Sequence, residues 1–413
     1  LVNTGRLGFG ALAVSQVGWL AACGGDSGAA DKSTGDSGSS DNSTDDLTIG
    51  WVVASTGAAV STLQPLLING QIALDEINAA GGILGRKLRQ AKIDDAADPA
   101  KEPGVIRSLA DKKATFVLGP TGSSQALASL ASSTPAKMIQ CAWGNNADLT
   151  DGVKYPYHYL PAYTTRQQAQ AVLAFAFDQL GAKKVAILAE NTAFGTQAAQ
   201  FTVDGLKAQG KTAAASQIYP QDATSLETYV RKCRDSGADV LIPWVASVQA
   251  GALMFDAMQK LNWKPPVVGH NALFIKAIFD LVPASALEDV YGTYYKSLTY
   301  TDTEKPGQRQ QDYAKKIMAN EAAVGPAANV SAAPYYDFLY LLKNVIEDIK
   351  TFDVAKVKKA LDGVQGYDGI LGRVSFTADN HGGLGADALA LGVVSSGNEP
   401  EAQGVFRRRA QGT

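Results

Sequence analysis

Histidine and cysteine are scarce, with 3 of each in 413 residues. His158, His270 and His381 stand far apart, and none has a second His or a Cys at the short spacing of a metal site. There is no Cys-x-x-Cys and no Gly-x-Ser-x-Gly elbow, so neither dithiol redox chemistry nor the common serine-hydrolase turn has a carrier. Gly81–Lys87 (GGILGRK) has the flavour of a phosphate loop. Its glycine spacing is one residue short and no Ser or Thr follows Lys87, so it reads better as a turn between helix and strand. An excess of charge of one sign is also lacking. Lys plus Arg total 37 against 40 Asp plus Glu, and no basic stripe stands out, which argues against a nucleic-acid partner. Beyond the first residues no run approaches the ~18 consecutive apolar residues of a membrane span. These absences lead to the expectation of a chain with no catalytic residue, no metal and no cofactor.

What is present begins with an address. Arg6 precedes a weakly apolar stretch from Leu7 to Leu20, followed by Leu20-Ala21-Ala22-Cys23-Gly24. A short apolar segment ending in small residues reads as a secretory signal. The Leu-Ala-Ala-Cys ending is similar to a bacterial lipobox, and the likeness implies cleavage before Cys23 and lipid on its sulfur and new amino terminus. The first residue is Leu1 rather than Met, so the start is expected further upstream. A mild segment containing Ser15 and Gln16 suits general and twin-arginine export equally. Residues 24–46 contain no aromatic and no branched aliphatic residue, so they are expected to form a disordered tether, ~25 Å in root-mean-square span. Cys141 and Cys233 fall in an expected strand and an expected helix. Free buried thiols are expected there rather than a bridge.

From Leu47 the pattern alternates. Strands are predicted at 47–54, 87–94, 115–118 and 137–142, with helices at 65–80, 99–113 and 123–133 between them. Gly81-Gly82 ends the first helix as a left-handed cap. After Thr165 the cycle restarts, with strands at 183–189, 213–219, 239–243 and 267–269 and helices at 195–209, 225–236 and 247–261. Helices at about 306–324 and 331–350 suggest a return to the first series. Short apolar strands between amphipathic helices predict an α/β protein with two Rossmann-like lobes, each a parallel sheet covered on both faces. Ligands of such sheets sit beyond the carboxyl ends of the strands.

Ile77-Asn78-Ala79-Ala80-Gly81-Gly82-Ile83-Leu84-Gly85-Arg86-Lys87-Leu88, Asp94-Asp95-Ala96-Ala97-Asp98-Pro99 and Leu118-Gly119-Pro120-Thr121-Gly122-Ser123-Ser124 resemble the branched-chain amino-acid binding proteins of ABC transporters, which are type I periplasmic binding proteins. The likeness continues through Pro156–Ala162, Ala189–Gly195 and Gly369–Phe376. It implies two α/β lobes joined by three hinge strands, one of 47–165 plus 295–365, the other of 166–294 plus 366–413. The family disulfide falls on Ala97 and Gly122, so both of its cysteines are absent.

The resemblance also implies a site. Ser123, at a helix start, matches the residue that holds a ligand carboxylate; together with Ser124 it offers hydroxyls beside helix N–H groups, and a serine there also serves as a plain cap. The 142–146 loop matches the segment that holds the ligand's polar head, which singles out Gly144 and Asn145; turn formation explains Asn145 and Asn146 as well. Trp143 either walls the pocket or lies inside the lobe, and Tyr163 either touches ligand or packs at the crossover. Phe194 stands where many members have Tyr, and Trp244 falls near the family's aromatic contact. At Gly269-His270-Asn271 the family's acid, partner of the ligand ammonium, is replaced by Asn271. This departure favours an amide, urea or carboxylate lacking an α-ammonium, unless another acid such as Asp222 reaches the site. The expectation is a monomeric exported lipoprotein that is not an enzyme. Its partners are a small polar ligand, an ABC permease, and the membrane through a lipid anchor. A ligand-sensing subunit on the same fold is the alternative, and a cytosolic amide sensor is disfavoured by the signal and tether.

Overall fold

Four short, mostly apolar strands build the first sheet of the computed structural model, which describes residues 45–56, 67–324 and 333–413. They are β1 (Leu47–Val53), β2 (Leu88–Asp94), β3 (Phe116–Thr121) and β4 (Ile139–Trp143), all parallel in the order β2-β1-β3-β4. Between them run α1 (Ile68–Ala79), α2 (Glu102–Asp111) and α3 (Ser123–Ser133). Burial explains the composition. β4, at one edge of the sheet, is buried at every residue because the segment at His158 bridges Gln140 along its outer side, whereas β2, at the other edge, mixes buried and exposed positions. α1 buries Ile72, Ala73, Leu74 and Ile77 and stops where Gly81 and Gly82 take φ of 108° and 86°. Gly82 N–H then closes the cap on Ile77 O at 2.8 Å.

The second sheet takes β5 (Val185–Glu190), β6 (Ala215–Tyr219), β7 (Val240–Trp244), β8 (Val267–Gly269), β9 (Val290–Tyr295) and β10 (Leu389–Val393), in the order β10-β9-β8-β7-β5-β6. All neighbours are parallel except β10, which runs antiparallel to β9. The helices of this part include α4 (Thr165–Ala174), α5 (Ala193–Ala208), α6 (Glu227–Asp235) and α7 (Val248–Lys260). Two later helices follow, α8 (Gln308–Val324) and α9 (Pro334–Ile349). α9 buries Tyr335, Phe338, Leu339, Leu342 and Ile346 and packs on α1, which brings the chain back to the first sheet.

The segments passing between the sheets run side by side. Leu160 N–H donates to His381 O at 3.0 Å and Gly383 N–H to Leu160 O at 2.9 Å. Cys141 and Cys233 are free and buried. Among the described residues no helix is long and apolar enough to cross a membrane, and no group of His, Cys, Asp and Glu is arranged to hold a metal ion. The expected signal, Cys23 and most of the tether lie outside the described residues.

Candidate functional site

Loops leaving the carboxyl ends of both sheets meet around a cavity of about 230 Å³. That is below the ~300–1,000 Å³ of ordinary small-molecule sites, so its occupant is small.

From the first sheet, β3 ends at Thr121 and Gly122 turns the chain into α3 with φ of 112°. Only glycine adopts this conformation without strain. No side chain caps α3, so the first-turn N–H groups of Ser123, Ser124 and Gln125 have no intrahelical partner and face the cavity end of the helix dipole. Gly144, after β4, lies against Ser123: a Cβ on it would stand 2.8 Å from Ser123 Cα and 2.9 Å from Ser123 N. The loop then continues to Asn146, whose N–H donates to Ser123 Oγ at 3.1 Å.

From the second sheet, β5 delivers Glu190, Thr192 caps α5 through Gly195 N–H at 3.1 Å, and Phe194 enters the wall. Ala246 and Ser247 follow β7, and His270 and Asn271 follow β8. Burial pushes the His270 imidazole down to about 3, so it is neutral. Its Nδ1 accepts from Ala272 N–H at 3.2 Å, which leaves the proton on Nε2 for Asn145 Oδ1 at 3.3 Å. Phe194 lies 4.5 Å from the His270 ring.

Seven of the nine ligand-contact candidates reach the wall: Ser123, Ser124, Trp143 and Gly144, with Asn145, Phe194 and Asn271. Three of them also bond within the protein, Ser123 through the Asn146 N–H already described. Asn145 donates from Nδ2 to Tyr163 O at 2.9 Å and accepts from His270, so it bridges the two sheets. Ser124 Oγ accepts Ala193 N–H at 3.1 Å, again across the cleft. Two atoms of wall residues remain unpaired and buried, Trp143 Nε1 and Asn271 Oδ1.

Two candidates lie elsewhere. Trp244 is fully buried on the opposite side of its strand, beside Val240 and Ile242, with Nε1 donating to Thr202 Oγ1 at 3.0 Å. Tyr163 is stacked on Tyr295 at 4.4 Å and its hydroxyl turns to Thr293 O at 3.5 Å. Neither is in the wall. Asp222 is exposed and also absent from it.

The wall residue that sequence reasoning missed is Glu190, 3% exposed. Its signal was present: a lone acid ending the otherwise apolar run VAILAE. Pro99, Gln125, Gln221 and Ile275 were missed too, and no motif marks them. Among the described wall residues there is no Lys or Arg.

The sequence profile described as periplasmic binding protein matches residues 46–398. A Leu/Ile/Val-binding protein homolog 7 of Brucella abortus (strain 2308) is 27% identical over 310 residues, 71% of this chain and 75% of the relative. The branched-chain amino acid transporter substrate-binding protein of Streptococcus pneumoniae, solved with isoleucine, superposes with a TM-score of 0.75 at 18% identity, covering 88% of this chain and 99% of that one. A solute-binding protein of an ABC transporter from Rhodopseudomonas palustris BisB5, solved with 3,4-dihydroxybenzoic acid, gives 0.74 at 17% identity, covering 89% and 97%. Together they identify the two-lobe α/β architecture of the type I periplasmic binding fold.

Proposed function

The chain belongs to the periplasmic binding protein family, and from that premise we propose that it is an exported lipoprotein which captures a small amino acid, amide or carboxylate and presents it to an ABC permease. One observation carries this reading: the cavity is walled by Ser123, Trp143 and Gly144 from the first sheet and by Phe194, Ala246 and Asn271 from the second. A molecule held there touches both, so its binding favours the closed arrangement, which is the form a permease distinguishes from the empty one.

In this reading the lobes are 47–165 plus 295–365 and 166–294 plus 366–413, and the segments between them flex as hinges. Cys23 carries the lipid and residues 24–46 span from membrane to body. The chemistry of the wall suits carriage rather than conversion. His270 is neutral and hydrogen-bonded within the protein, and the hydroxyl–carboxylate pair of the wall, Thr192 with Glu190, is engaged as the cap of α5.

A thermal-shift panel of amino acids, short amides, urea and benzoates tests the reading. A bound solute raises the unfolding temperature by stabilising the folded form alone. At least one solute is expected to do so in a saturable manner, and a Ser123→Ala variant is expected to weaken it. A panel without any stabilising member counts against the proposal.

A further inference from the structure

Resting on the solute-binding reading above, we infer that Glu190 supplies the counter-charge for a protonated amine on the ligand, so that the site selects a zwitterionic amino acid over amine-free carboxylates and amides. Asn271 offers only a dipole at the position where the acid was expected. Glu190 is the one carboxylate among the described wall residues. A carboxylate has about four lone-pair positions. Two are used: Oε1 accepts Thr192 Oγ1–H at 2.7 Å and Oε2 accepts Ala246 N–H at 3.0 Å. The rest are free for a ligand.

The local build places this acid deliberately. Both donors belong to helix starts, Thr192 capping α5 and Ala246 preceding the Ser247 cap of α7, and helix N-termini favour negative charge. Gly195 makes the room: a Cβ there would come within 2.6 Å of Glu190 Cγ. No cation acts on the carboxyl group; burial raises its proton affinity and only the two hydrogen bonds lower it. A buried carboxylate without a counter-ion is costly, and a ligand ammonium removes that cost. Across the cavity, the uncapped start of α3 presents N–H donors to the ligand's carboxylate. The site therefore pairs a donor end with an acceptor end.

Calorimetric titration of the folded chain decides it. The probes are the proteinogenic amino acids, the 2-oxo acids of leucine and valine, benzoate, butyramide and urea. Wild type is expected to bind an amino acid roughly 100-fold or more tightly than any amine-free probe. Glu190→Gln keeps shape and a neutral acceptor, and is expected to lose roughly 100-fold for that amino acid. If an amine-free probe binds best, or the variant keeps the amino acid within about threefold of wild type, the role of Glu190 falls while solute binding stands. If no probe binds wild type, both fall. If the variant does not fold, the comparison of amino acids with amine-free probes on wild type still decides.

Discussion

Trp244 and Glu190 end neighbouring strands, yet one is spent on the core and the other opens to the cavity. The difference is a matter of face. β7 is buried throughout, and Val240, Ile242 and Trp244 point into one helical layer while Leu241 and Val245 point into the other. A strand covered on both sides is apolar at every position, so its sequence contains no alternation to say which way a given ring points. That is why Trp244 was legible as important and illegible as to role. If its indole is structural, Thr202→Val strips the partner of Nε1 and leaves a buried donor unpaired. Denaturant titration is expected to show a loss of ~1–3 kcal/mol, while ligand affinity stays near wild type; a loss of affinity with unchanged stability would contradict the placement. Glu102 is a second buried group outside the wall. Burial first, then the neighbouring Asp95 carboxyl and the Asp98 charge, push it up to about 9. Its folded pKa lies above the unfolded value, so its favourable share is full below about pH 4.5 and fades as pH climbs toward about 9. Stability is expected to decline over that window with a slope of up to ~1.4 kcal/mol per pH unit from this group. Glu102→Gln is expected to flatten the decline in denaturation midpoints taken from acidic to alkaline pH.

At the scale of elements, periodic segments were the legible ones. α3 was expected at 123–133 and is found there, and β8 at 267–269 likewise. α4 was overlooked because Thr165–Ala174 reads TRQQAQAVLA, with a thin apolar stripe of Ala169, Val172 and Leu173. β9 and β10 were overlooked for a different reason. Each has a glycine at its middle, Gly292 paired with Gly392, and the Phe274 ring lies over both: a Cβ would come within 2.7 Å of it at Gly292 and 2.9 Å at Gly392. Glycine within a strand marks close approach, but a sequence does not reveal what approaches. The start of α4 shows how locally such elements are fixed. Thr164 and Gln167 form a reciprocal capping box, and Gln167 Nε2 also ties the helix to Leu384 O at 2.8 Å. Thr164→Ala is expected to cost ~1 kcal/mol in denaturant unfolding. Since the cap lies outside the cavity wall, ligand affinity is expected to hold.

At the scale of the whole molecule, what the sequence did not display is how much protein-to-protein bonding spans the cleft. Asn146 Nδ2 donates to Ala193 O at 2.8 Å. Gln197 on α5 does more: its Oε1 accepts Ala147 N–H at 2.6 Å and its Nε2 donates to Asn146 Oδ1 at 3.0 Å, while Thr165 Oγ1–H at 2.6 Å fixes the same amide from its own side of the cleft. These bonds join residues hundreds of atoms apart along the chain, so no local pattern announces them. They also set an energetic balance. Each is worth ~0.5–1.5 kcal/mol net, so this arrangement is held partly without any ligand, and a ligand has correspondingly less to supply. Gln197→Ala removes the side-chain bonds while leaving the cavity wall intact. If the lobes hinge, the variant populates the open form more, and a ligand must then offset the shift before it binds. Apparent affinity is expected to fall ~10-fold, and small-angle X-ray scattering of the ligand-free variant is expected to give a larger radius of gyration that returns to the wild-type value on saturation. Equal dimensions and equal affinity in both proteins would mean that these bonds fasten a rigid body and that closure around the solute is not how it is held.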